Sequence, residues 1–85
     1  MTKIINQNQT FQTFDLGLSA ALISTGFELQ DLDKFNPKKV QFNFLRTSDI
    51  DETVRDYFSD RLDINARTYF DNIKLLKNMI YLEKQ

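Results

Sequence analysis

The chain has 85 residues, 41% of them hydrophobic and 13% aromatic, with eight Phe and no Trp; that length and composition specify one domain with a small apolar core and exclude disorder throughout. Cys and His are both absent, which excludes a disulfide scaffold, the common zinc sites, cysteine nucleophiles and histidine acid/base chemistry. Eleven basic against twelve acidic residues leave a net charge of −1, a balance that tells against a general nucleic-acid binder, which carries a basic excess.

Residues 1–12 read as a flexible polar arm, with Ile4 and Ile5 its only adjacent aliphatics, or else as an extra strand docked on the domain. The arm lacks the apolar core of a signal peptide, so the cytoplasm is the expected location. Residues 13–85 form the single domain. Thr13 is a plausible helix cap, with Asp15 placed against the positive end of the helix dipole. From Leu16 to Phe27 no residue is charged, and helical spacing puts Phe14, Leu18, Ala21 and Leu22 on one side with Leu16, Ala20 and Ile23 nearly opposite. Such a segment needs protein on both sides, and it is too short to cross a bilayer. Gly26 can take a left-handed conformation and end the helix, and Phe27 follows where an apolar contact returns to the last turn.

Phe27 and Leu29 would share a strand face from which Leu32 is out of phase, so a bulge or an early end is expected near Gln30 and Asp31. Asn36 and Pro37 mark a turn. Val40, Phe42 and Phe44 then alternate with Gln41 and Asn43, the clearest strand pattern in the chain. The result is a β-hairpin whose apolar face needs helices upon it. Ser48 or Asp49 can cap a second helix carrying Ile50, Val54, Tyr57 and Phe58 at helical spacing. A third helix is expected from about Asn65 to Leu82, with Ala66, Tyr69, Phe70, Ile73, Leu76 and Ile80 on its main apolar side.

Two places on this outline can do more than pack. Leu75, Met79 and Leu82 form a second apolar stripe at i, i+4 and i+7, which is a partner or self-association surface if uncovered and plain core if the first helix or the arm lies over it. The hairpin tip carries Lys34, Phe35, Lys38 and Lys39, able to neutralise phosphates and stack on an unpaired base, or simply to solvate a turn and guard the sheet edge. The remaining candidates dissolve on inspection. Asp31 with Asp33, and Asp49 with Asp51 and Glu52, lack calcium-loop spacing. Glycines at 17 and 26 alone make no phosphate-cradling loop, and Tyr57, Tyr69 and Tyr81 have no activating neighbour in sequence.

Thr13-Phe14-Asp15-Leu16, Leu18, Ala20-Ala21-Leu22 and Gly26-Phe27, followed by Asn36-Pro37-Lys38-Lys39-Val40 with Phe42 and Phe44, resemble an uncharacterised family of short phage and bacterial domains known only as a domain of unknown function. Tyr57-Phe58 and the segment from Leu76-Lys77 to Ile80-Tyr81 resemble its C-terminal half. The family often has two arginines where Lys38 and Lys39 stand, and Tyr-Trp where this chain has Tyr57-Phe58, so bidentate arginine contacts and tryptophan stacking do not carry over. The resemblance implies a stand-alone, phage-related module and supplies no functional residues.

The expected architecture is a small α+β domain in the order helix, β-hairpin, helix, helix, with the helices packed on one face of the hairpin and the first helix between that face and the other two. Its expected core is Leu18, Leu22, Phe27, Leu29, Val40, Phe42, Phe44, Ile50, Val54, Phe58, Phe70, Ile73, Leu76 and Ile80. The expected function is a non-catalytic protein-interaction or accessory module acting on a protein partner or a second copy, using Leu75, Met79 and Leu82. The alternative is a small nucleic-acid-binding domain using the hairpin tip. No cofactor, metal, membrane or small-molecule substrate is expected.

Overall fold

Asp15, two residues later than expected, starts the first helix. Its carboxylate accepts a hydrogen bond from the Leu18 N–H at 2.9 Å, satisfying one of the donors that a helix start leaves open. Thr13 belongs instead to a strand, and its hydroxyl accepts from the Asp15 N–H at 3.1 Å. The computed structural model describes residues 9–36 and 38–82, so the expectations for Ile4, Ile5 and Pro37 lie outside the described residues. Within them the order is β1 (Thr10–Thr13), α1 (Leu16–Ser24), β2 (Leu29–Asp33), β3 (Gln41–Leu45), α2 (Ile50–Phe58) and α3 (Ala66–Leu82). The fold is α+β, a three-stranded antiparallel sheet with helices packed together.

The hairpin of β2 and β3 forms as expected, and β1 adds a third strand on its far side, giving the order β1-β3-β2. Docking as a strand is therefore the fate of Thr10 to Gln12, the end of the arm. Phe11 pairs with Phe44, Leu29 with Phe44 and Leu32 with Phe42, so five apolar side chains share the inner face. The bulge between Leu29 and Asp31 returns Leu32 to that face. The outer face is polar. Asn43 donates to the Asp31 carboxylate at 2.7 Å and accepts from the Gln41 amide at 2.9 Å.

α1 is the hub. Leu18, Ser19, Ala20, Ala21 and Leu22 are buried in succession, which a helix covered on only one face cannot achieve. It packs on α3 and α2, and its leucines join Phe42, Phe44, Ile50 and Leu76 in one core. Ser19 is buried without cost because its hydroxyl donates to the Asp15 carbonyl at 2.9 Å. The helix ends as expected: Gly26, at φ 104°, donates to the Ile23 carbonyl and Phe27 donates to that of Leu22, the paired bonds of a Schellman stop.

Asp49 precedes α2, but its carboxylate accepts from the Thr47 hydroxyl at 2.8 Å and does not cap the helix. Asn65 does cap α3, accepting from the Arg67 and Thr68 N–H groups at 3.1 and 3.4 Å. Most of the expected core is buried or packed against it. Phe58 and Phe70 are corrections, each more than half exposed. Phe70 sits about 120° around α3 from the buried Leu76, outside the narrow face that meets α1. Phe58 closes α2 beside Tyr57, which takes the inward place, and the two rings stand near-perpendicular with their centres 5.0 Å apart.

Candidate functional site

α3 is 17 residues long, and α1, at nine, is too short to cover all of it. The side of α3 toward α1 carries Tyr69, Ile73, Leu76 and Ile80, held in place by a hydrogen bond from the Asn72 amide to the Ser24 hydroxyl at 2.9 Å. Turning about 100° from Leu76 brings Leu75 into view, and Leu82 lies close to the same line. Leu75 is 47% exposed and Leu82 69%. Met79 is half-buried and packs against the core. The stripe seen in the sequence is therefore divided, with Met79 anchoring two leucines that face outward. Leu75, Met79 and Leu82 keep the four-then-three spacing of a helix–helix seam.

The hairpin tip resolves into two unlike parts. Lys34 turns across to α3, where its ammonium donates to the Met79 and Ile80 carbonyls at 2.9 and 3.0 Å. Those carbonyls belong to the last turn, the negative end of the helix dipole, where a cation is stabilising. Lys34 thus joins the tip to the end of the apolar flank, bringing together two features that lie 45 residues apart in the chain. Asn36 shapes the turn beyond it, its side chain accepting from the Lys38 N–H at 3.0 Å and its carbonyl from that of Lys39 at 2.9 Å.

Phe35 is 96% exposed and lines a cleft of about 180 Å³ with Phe14, Asp33, Asn36, Lys39 and Gln41. The Lys39 ammonium stands 4.8 Å from the centre of the Phe14 ring. Phe14, expected on the same side of the helix as Leu18, is an exposed member of this cleft because the helix begins after it. The signal that would have found it is Asp15: an Asp cap shifts the helix start and leaves Phe14 in the connection. Among the described residues no group of three or more acidic side chains could hold a metal ion. No described helix is long and apolar enough to cross a membrane.

The family model for a domain of unknown function (DUF5659) matches residues 8–82. Comparison with curated proteins and with solved structures gives no match.

Proposed function

The chain belongs to this family of domains of unknown function, and we propose that it is a non-catalytic protein-interaction module that receives an apolar helix of a protein partner along the outer flank of α3. The observation that carries this reading is the exposure of Leu75 and Leu82 on either side of the anchored Met79. Two leucines one heptad apart present the ridge that another helix accepts. Lys34 fixes the end of that ridge from below, so the surface is presented by a restrained last turn. We carry a cytoplasmic location and the phage-related origin implied by the resemblance as parts of the same proposal; sequencing the flanking genes of the source genome tests the origin, with phage genes on either side expected and their absence overturning it.

A specific observation favours one second reading. Phe35, almost wholly exposed, opens with Phe14 and Lys39 onto one cleft, an arrangement suited to stacking an unpaired base beside a cation. Lys34 has left that group for the α3 carbonyls, which weakens the reading.

The substitutions Leu75→Glu and Leu82→Glu separate the two. Size-exclusion chromatography with light scattering, and pull-down from the native host with and without nuclease, are expected to show an association that the double variant loses and nuclease leaves intact. An association removed by nuclease and indifferent to the leucines overturns the α3 reading in favour of the tip.

A further inference from the structure

The same chain builds two helix ends of one design and places different residues at the critical position. α1 stops with Gly26 at φ 104°; α2 stops with Asp60 at φ 62°. Both follow the Schellman pattern: after α2, Asp60 donates to the Tyr57 carbonyl at 3.2 Å and Arg61 to that of Asp56 at 2.8 Å. Glycine is the residue that takes this conformation without strain. An aspartate there is tolerated at a cost, and such outliers gather where a side chain is needed.

Asp60 stands at a cleft of about 320 Å³ between the end of α2 and the start of α3, lined with Tyr57, Leu62, Ile64, Ala66 and Tyr69. Its carboxylate makes no ion pair or side-chain hydrogen bond among the described residues, and the adjacent cation, Arg61, is turned to Asp56 at 3.5 Å. Among the described residues that line the cleft, Asp60 alone is charged. The two tyrosine hydroxyls are already committed: Tyr57 hydrogen-bonds to Tyr69, and Tyr69 donates to the Gly17 carbonyl at 3.2 Å. The Tyr69 bond, with burial second, pushes the Tyr57 phenol up to about 12. Tyr57 thus stays neutral across the ordinary pH range, and the two rings offer the cleft aromatic surface beside three aliphatic side chains.

We infer that this cleft binds an organic cation, an amine or guanidinium carried on an apolar stem. The stem matches Leu62, Ile64 and Ala66, the charged head matches the unpaired Asp60 carboxylate, and aromatic rings attract such a head further. An anion is repelled by Asp60. The site lies roughly 10–20 Å along α3 from Leu75 and Leu82 and stands apart from the proposed partner surface.

The test uses the full chain and amide chemical shifts. Cadaverine, the blocked peptide acetyl-Gly-Arg-Gly-amide and the neutral control 1-pentanol are titrated separately. Both cations are expected to shift Tyr57, Asp60, Ile64 and Tyr69 with dissociation constants on the order of millimolar, and pentanol is expected to leave these residues unchanged. Tighter binding of the peptide identifies a protein side chain as the source of the cation, and tighter binding of cadaverine a free amine. Asp60→Asn keeps a residue that tolerates the left-handed backbone and removes the charge; it is expected to bind both cations roughly fivefold more weakly. Asp60→Gly, which relieves the backbone strain, is expected to unfold at a higher temperature while losing the same binding. Equal shifts with pentanol, no shift with either cation, or unchanged binding in Asp60→Asn overturns the assignment.

Discussion

Gly17 shows how closely single atoms are set at the start of α1. A Cβ placed there would stand 2.6 Å from the Tyr57 hydroxyl and 3.3 Å from that of Tyr69, and the first distance forces something to move. Alanine would contribute up to about 1 kcal/mol of helix propensity, but overpacking costs about 1–3 kcal/mol. Gly17→Ala is therefore expected to lower the urea midpoint in the wild type. In a Tyr57→Phe background the blocking oxygen is gone, so the same substitution is expected to be neutral or stabilising; an equal loss in both backgrounds would place the constraint elsewhere. None of this is legible at residue level in the sequence, where a glycine in a charge-free helix and two tyrosines at 57 and 69 carry no sign of their convergence. Asp60 is likewise silent, since a polar residue after a helix reads as an ordinary turn.

Elements were more legible than their neighbours. The period of two in β3, the apolar spacing of α2 and α3, and the Gly26-Phe27 stop are local patterns, and local backbone geometry answers to them directly. The bulge near Gln30 followed from Leu32 being one residue out of phase, because a strand cannot bury Leu29 and Leu32 on one face without it. β1 was harder: Thr10–Thr13 is four residues long and has only Phe11 to mark an inner face. The cap supplied by Lys34 was not visible at all, since nothing in a hairpin sequence names the helix end it meets. Lys34→Met keeps the stem and removes the donors to the Met79 and Ile80 carbonyls. It is expected to cost about 0.5–2 kcal/mol in urea unfolding and to speed amide exchange in the last turn of α3; an unchanged last turn would show that the cap does not restrain it.

At the scale of the whole molecule, stability rests on α1 packing against α2 and α3 while its leucines share one core with Phe42 and Phe44 of the sheet. Opening any one of those contacts uncovers the hub, so the amides of Ala20, Ala21 and Leu22 are expected to exchange only through global unfolding. Leu22→Ala is expected to cost about 2–5 kcal/mol, because the side chain is fully buried and its neighbours cannot all collapse into the space. Native-state exchange of the wild type and the variant checks both statements. Fast exchange at these amides, or a loss of well under 1 kcal/mol, would show that the core is organised around something else.

The twelve residues from Leu16 to Phe27 without a charge were enough to determine that one helix is covered all round, because an uncharged segment of that length gains nothing from water on any side. Periodicity likewise determined that sheet and helices coexist in one domain. Tertiary structure alone decided which apolar residues lose their cover, as at Phe58, Phe70, Leu75 and Leu82, and which distant groups meet, as Lys34 meets α3 and Tyr69 meets Gly17. The physical reason is that hydrophobic spacing states how much surface a segment must bury, whereas the identity of the covering residue depends on lengths, crossing positions and helix ends that are set only when all the elements close together.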